Sequence, residues 1–498
     1  MTGAQLPLLV VVPFLGAVIT IVRPAPSVSA RTVLLGVNGL ALLGGIALVA
    51  ATWDGQVLAH RVALWPVGVA IPFVADMFSA LMLTVTALLA LVCSAFGIAA
   101  GDDERRFFAP LVLVLSGGVY GALLTGDLFN LFVFVEVMLL PSYGLLTMLG
   151  GPRRLAAGRL YVTMNLMTST VFLVGVGLVY GATGTVVLAE LAGAARESPL
   201  VGAALATVLI ALSVKAAVVP VHGWLTRTYP YTSPAVTALF SGLHTKVAVY
   251  AIYRIYAVAF EGEARYLWIG IAVTSVTMLV GVLGAVGENT TRSILTFHMI
   301  SQIGYILLGV ALFGPLGLTA GIFYLLHHMV VKASLFLSTG AVEVTYRTNE
   351  LDRLQGVART EPLIAVAFLG AAFSLAGLPP FSGFVAKLVL VQAAIEQQQL
   401  AAAVVAVGVS LLTLMSMLKI WKGVFWGRAA EDGVDAVSAR RPGAVLTHVR
   451  PALAVPGVVL AALTLAVGLG AQGLLVLAEQ AAAGLLDVDG YVEAVTGG

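Results

Sequence analysis

Charge is scarce in this sequence. Asp, Glu, Lys and Arg together make up 10% of the 498 residues, hydrophobic residues 60%, and the mean hydropathy is +1.03. A soluble chain of this length needs a far more charged surface, so a soluble enzyme or binding module is excluded. The one cysteine, Cys93, lies inside an apolar run, which excludes a disulfide framework and a paired-cysteine metal site. The net charge of +2 is too small to suggest nucleic acid. A GxGxxG after a strand, a CxxCH and an HExxH are all missing, so neither a cofactor nor a metal is expected. His298, His327 and His328 do not change this, since a metal needs at least three convergent ligands. The N-terminus lacks a basic region and a cleavage site, and reads as a retained first span.

Apolar runs fill the chain instead, many of them long enough to cross a hydrocarbon core. They predict an all-α polytopic membrane protein with about fourteen transmembrane helices. The runs lie near 5–22, 31–52, 74–100, 107–125, 128–149, 160–181, 200–226, 233–259, 264–287, 292–314, 317–345, 362–395, 400–426 and 452–480. The polar stretch Arg428–Arg450 is the longest interruption and is too short for a soluble catalytic domain. Loop arginines such as Arg23, Arg105, Arg153, Arg292, Arg347 and Arg440 follow odd-numbered spans, and only Arg61, Arg196 and Arg265 fall on the other side. The positive-inside rule then puts both termini outside the cytoplasm of a bacterial plasma membrane.

The lysines follow another pattern. Lys215, Lys246, Lys332, Lys387, Lys419 and Lys422 all lie in apolar segments or at their ends, and no hydrophilic loop holds one. Arginine keeps its proton, whereas a desolvated lysine can titrate. Lys419 and Lys422 can snorkel from a span end; Lys215, Lys246 and Lys332 are too deep for that. Glu136, in LFVFVEVMLLPSYG, is the matching carboxylate. A charge at mid-span costs about 2.5–3.5 kcal/mol, so five such residues call for pairing inside the bundle. The simplest pair is Glu136 with Lys215. Beyond it lie Lys246, which follows His244; His328 and Lys332, on one helix face at i and i+4; and Lys387. So many titratable groups describe a proton relay, whereas a static ion pair needs only two.

Prolines mark the backbone breaks expected in this pattern, and four are placed as helix interruptions: Pro141, Pro220, Pro379 and Pro380. Pro141 lies five residues after Glu136 and Pro220 five after Lys215, each removing a helical amide donor. The stretches PVHGWLTR (220–227) and PFSGFVAK (380–387) repeat one pattern inside two long apolar segments. Interrupted spans at matching positions of two halves point to an ion site. The GGVYG at Gly117–Gly121 is expected to allow close helix packing.

Four stretches carry a family resemblance: GDLFNLFVFVEVMLLPSYGLL (126–146), SVKAAVVPVHGWL (213–225), HHMVVKASLFLSTGA (327–341) and LAGLPPFSGFVAK (375–387). They resemble the antiporter-like subunits of respiratory complex I and its relatives, over roughly residues 110–425. Within that superfamily, GDLFN leading into FVEVML is similar to the D-type subunits of Mrp-type multisubunit cation/proton antiporters. The resemblance implies fourteen spans, with two inverted five-helix repeats and interrupted seventh and twelfth helices. The corresponding divisions are 1–106, 107–259, 260–427 and 428–498. It implies that Glu136 and Lys215 form an ion pair, that Lys246 is a relay lysine, and that His328, Lys332 and Lys387 continue the relay. His244, His327 and Lys419 are further relay candidates.

The expected function is that of a proton-translocating subunit of a sodium/proton antiporter, without covalent chemistry. Its expected partners are the other subunits of the complex, protons, sodium handled by the complex, and the lipid bilayer. Alternatives are a proton-pumping membrane subunit of complex I or a membrane hydrogenase, and a structural scaffold with inert ion pairs.

Overall fold

The computed structural model describes residues 1–62, 65, 70–427 and 448–497, so the polar loop after Gly427 lies largely outside the described residues. Helices dominate it because lipid offers no hydrogen bonds, and a helix satisfies its own backbone. The first half comprises α1 (Leu6–Ile21), α2 (Val28–Ala51), α3 (Met77–Ala100), α4 (Phe108–Leu124), α5 (Leu128–Thr147), α6 (Pro152–Thr183), α7 (Pro199–Lys215), α8 (Gly223–Thr228) and α9 (Pro234–Ala259). Then come α10 (Leu267–Gly287), α11 (Thr291–Ala311), α12 (Pro315–Tyr346), α13 (Pro362–Ala376), α14 (Ser382–Glu396) and α15 (Leu400–Ile420). The C-terminal part is α16 (Pro451–Leu469), α17 (Ala471–Leu486) and α18 (Val488–Thr496). Side chains close the orphan amides at several starts: Asp76 accepts from Ser79, Asp127 from Asn130 and Ser233 from Val236. Among the described residues, eleven helices are long and apolar enough to cross a membrane, or up to 13 if two bent pairs count as one span each.

Depth within the bundle sorts the helices. The apolar windows of α9 and α11 are 94% buried and that of α12 is 100% buried, against 28% for α2 and 33% for the segment containing α10. The three central helices hold Lys246, His298, His328 and Lys332; the outer ones turn Leu, Val and Ile outward. Glycines let helices touch. An added Cβ at Gly118 would lie 2.7 Å from the Met138 amide nitrogen of α5, and Gly117 and Gly121 press on Phe14 and Phe134. The close packing expected of GGVYG is therefore present.

Three features depart from the sequence reading. Pro141 does not interrupt its helix: α5 runs through it unbroken. The Ser142 hydroxyl donates to the Leu139 carbonyl at 2.5 Å, and α4 packs tightly on the same stretch at Gly118, so neighbours keep the turn closed. The last apolar run is also not one helix over 452–480. It divides at Gly470, and α17 bends by 72° into α18. Finally, the all-α expectation misses a small hairpin, β1 (Leu58–Arg61) antiparallel to β2 (Pro72–Ala75). Its four-residue strands are too short for a period to show. Gly3 packs on Ala59 of this hairpin and Gly497 lies beside Arg61, so the described ends share one face. The opposite face gathers arginines from distant loops: Arg31 meets Asp103, Arg154 the Tyr231 carbonyl, and Arg450 the Ala99 carbonyl.

Candidate functional site

Two broken helices frame the site, and both breaks have the same cap. At the first, the Val218 amide donates to the Ser213 carbonyl at 3.0 Å and Ala217 to Val214 at 3.0 Å, with Ala217 left-handed at φ +62°. At the second, Leu378 donates to Phe373 at 3.0 Å and Gly377 to Ser374 at 3.1 Å, with Gly377 at φ +87°. This is the Schellman arrangement at each helix end. Pro220 and the Pro379–Pro380 pair lie just beyond, where a helix cannot resume at once. Both breaks expose helix C-termini, whose partial negative charge favours a cation.

Each break receives a lysine, by different routes. Lys215 is the last residue of α7. Its ammonium lies 3.7 Å from the Glu136 carboxylate and donates to the Ser169 hydroxyl at 3.0 Å. Ser169, on α6, also donates to the same Glu136 oxygen, so it bridges the pair. The pair is asymmetric, with the Glu136 side chain 24% exposed and Lys215 at 6%. The carbonyl of Val214 takes the Trp224 indole at 2.9 Å; Lys215 turns to the carboxylate and not to the backbone. Lys387 belongs to α14, beyond the second break, and reaches back to the Ala376 carbonyl at 3.0 Å and the Ser410 hydroxyl at 3.0 Å. Its partners are a helix end and a hydroxyl, with no carboxylate among the described residues within 4.0 Å.

Between the breaks runs a line of buried basic groups. His244 lies within Coulombic reach of Lys215, and its Nδ1 meets the hydroxyls of Tyr161 at 3.2 Å and Tyr229 at 3.4 Å. Lys246, fully buried, donates to Thr245 at 3.0 Å. His328 lies within Coulombic reach of Lys246 and Lys332, and neither of its ring nitrogens has a partner among the described residues. Lys332 donates to the Leu295 carbonyl at 2.6 Å and sits 5.5 Å from the Phe336 ring centroid. His298, bonded to Ser416 at 2.9 Å, and His327, bonded to Ser382 at 2.7 Å, both lie in Coulombic range of Lys387. His298 and His327 take separate hydroxyl partners, and among the described residues no three His, Cys, Asp or Glu side chains are grouped to hold a metal ion.

Two candidates take places that the spacing did not give. His327 belongs to the second break, where it bonds Ser382. Lys419 caps α10, donating to the carbonyls of Val286 at 3.0 Å and Glu288 at 2.6 Å. The hydroxyls of Ser169, Tyr161 and Ser410 are neutral and common in type, and no sequence signal marks them. Arg254 is a charged residue outside the expected relay. It lies two turns past Lys246 on α9 and pairs with the buried Asp76 at 2.6 Å, below the Tyr491 ring of α18.

Comparisons with known proteins find relatives along nearly the whole chain. The sequence pattern described as NADH:quinone oxidoreductase/Mrp antiporter, TM matches residues 125–413. The chain is 35% identical to the D-type subunit of a Na(+)/H(+) antiporter from Alkalihalophilus pseudofirmus, over 92% of this chain and 93% of that protein. A chain in the Mrp complex structure from Dietzia sp. DQ12-45-1b is 56% identical, with a TM-score of 0.93 and 100% of both chains covered. A chain of respiratory complex I from Thermus thermophilus is 26% identical, with a TM-score of 0.74, covering 95% of this chain and 98% of that one. Matched along most of its length in sequence and throughout in structure, the chain belongs to the NADH:quinone oxidoreductase/Mrp antiporter transmembrane family.

Proposed function

We propose that this chain is the D-type membrane component of a multisubunit Na+/H+ antiporter and supplies a proton path to the complex. The observation that carries this reading is the line of buried lysines and histidines that starts at the Glu136–Lys215 pair and ends at Lys387. In the relay, a proton arriving at Lys246 repels Lys215 and loosens its hold on Glu136. The contact that is loosened, Lys215 to Glu136, has a length of 3.7 Å, and at an effective dielectric near 20, unit charges about 4 Å apart interact by roughly 4 kcal/mol. That is enough to hand a proton on without large helix movements. His244 and His328 carry it between lysines, and His327 serves the last step toward Lys387.

The arginine-rich face is the cytoplasmic one and the face with both termini the outer one, in a plasma membrane crossed fourteen times. Residues 107–259 and 260–427 act as two inverted repeats, flanked by 1–106 and 428–498, and the two similar breaks support that division. The chain works only with partners. Glu136, already engaged by Lys215 and Ser169, is a poor alkali-cation site, since such ions prefer several oxygen ligands.

The test is sodium-driven proton movement in everted vesicles holding the whole complex. Glu136→Gln and Lys215→Met each abolish most of it while the complex assembles, and the double variant loses far less than the sum. Additive losses would count against the pair as a functional unit, and wild-type transport by both single variants would leave the relay reading without support.

A further inference from the structure

The arginine-rich face holds a carboxylate that the relay does not use. Asp102, in the turn Asp102–Glu104 between α3 and α4, is 6% exposed. Its Oδ2 accepts from the Ser233 hydroxyl at 2.7 Å, and Ser233 caps α9, the helix that carries His244 and Lys246. Its neighbour Asp103 is paired with Arg31 at 2.5 Å, but among the described residues no cationic side chain lies within 4.0 Å of Asp102. Arg292 of α11 and Arg154 of α6 act on it from farther away. Arg292 is itself held by Glu343 of α12 at 2.6 Å.

These arginines also grip the backbone beside Ser233. Arg292 donates to the Pro230 carbonyl at 3.1 Å and to that of Thr232, and Arg154 donates to Tyr231 at 2.8 Å. The loop they hold begins at Tyr229, whose hydroxyl meets His244. Thr237 ties the two ends together, donating to the carbonyls of Tyr229 at 3.2 Å and Ser233 at 2.9 Å. The hydroxyls of Thr232 and Ser241 are buried and have no partner among the described residues. One short loop thus links a nearly buried carboxylate to the first relay histidine.

We propose that Asp102 is the proton-exchanging group at the mouth of the relay on the arginine-rich face, joined to His244 along the Ser233–Tyr229 loop. The proposal rests on the relay reading given above. Burial pushes the Asp102 carboxyl above the usual carboxylate range, while Ser233, Arg292 and Arg154 pull it back and Asp103 raises it. A group balanced in this way can exchange a proton with solvent, whereas a carboxylate locked to an arginine cannot. Only a proton moves, between water and the Asp102 carboxylate at one end and the relay at the other, with no change in covalent bonds between heavy atoms or in oxidation state.

The experiment measures sodium-driven proton transport by the complete complex in everted vesicles across a range of pH, with Glu136→Gln run in parallel. Asp102→Asn lowers the rate at least about tenfold, and Asp102→Glu restores most of it. Ser233→Ala keeps the carboxyl but removes a donor to its charged form, so the acid limb of the pH profile moves to higher pH. A wild-type rate and profile in Asp102→Asn overturns the proposal, and so does an unmoved limb in Ser233→Ala, which decides the matter where Asp102→Asn does not assemble. Wild-type transport by Glu136→Gln would instead overturn the relay reading, so the two failures are separable.

Discussion

The Lys215 ammonium has the Ser169 hydroxyl as its near partner, at 3.0 Å, and the Glu136 carboxylate as its far one, at 3.7 Å. Because Ser169 donates to the carboxylate while accepting from the lysine, any change in charge at one end is felt at the other through a single oxygen. Hydrogen bonds to charged groups contribute about 1.5–3 kcal/mol. Ser169→Ala is therefore expected to cut transport by about tenfold or more with assembly intact, and Ser169→Thr to retain most of it. Transport by Ser169→Ala at the wild-type rate would show that the two charges need no bridge.

The two adjacent histidines separate by position. His328 faces Lys246 and Lys332, so His328→Ala should remove nearly all proton transport. His327 is tied to Ser382 at the second break, and His327→Ala should leave a reduced but measurable rate. Vesicle assays on both variants decide the order, and a milder loss in His328→Ala would place the path through His327 instead.

The Asp76–Arg254 pair predicts a stability effect. Removing one partner of a buried ion pair costs about 3–5 kcal/mol, and replacing both by apolar groups costs far less. Asp76→Asn should lower the thermal midpoint of the purified complex clearly. Asp76→Leu combined with Arg254→Met should lie closer to the wild type. Equal midpoints for Asp76→Asn and the wild type would show that the pair is energetically idle.

Gly468 supplies a steric prediction. A Cβ there would run into the Pro380 carbonyl oxygen, so α16 and the second break must separate. Overpacking of this kind costs about 1–3 kcal/mol. Gly468→Ala should reduce thermal stability, while Gly473→Ala, with nothing within 4 Å of the new carbon, should not. Unchanged melting of Gly468→Ala would mean that the helix can shift freely at this point.

The parts of the site that were legible in the sequence are those that stand out against an apolar background. Glu136, Lys246, Lys332 and Lys387 are visible because charge inside a span is expensive, and the breaks at Pro220 and Pro379–Pro380 because proline and glycine end helices. What stayed hidden depends on neighbours. Pro141 and Pro220 look alike in the chain, yet α4 and Ser142 hold the helix together at the first, while Ala217 turns left-handed at the second. Ser169 is one hydroxyl among many, and only folding brings it between two charges. Arg254 is plain to read, but its partner Asp76 precedes it by more than a hundred and fifty positions, and no local period joins them.

The two Schellman breaks hold their lysines against different kinds of counterweight. Lys215 faces a carboxylate, whose charge disappears when it takes a proton, so its surroundings have two settings. Lys387 faces the end of a helix, whose dipole is built into the backbone and has one setting at every pH. The first break is therefore a contact that can be thrown, and the second a fixed terminal against which it is thrown. A row of like groups between two identical ends would have no preferred direction; here the ends differ, because a carboxylate stands at one and only a helix terminus and a hydroxyl at the other.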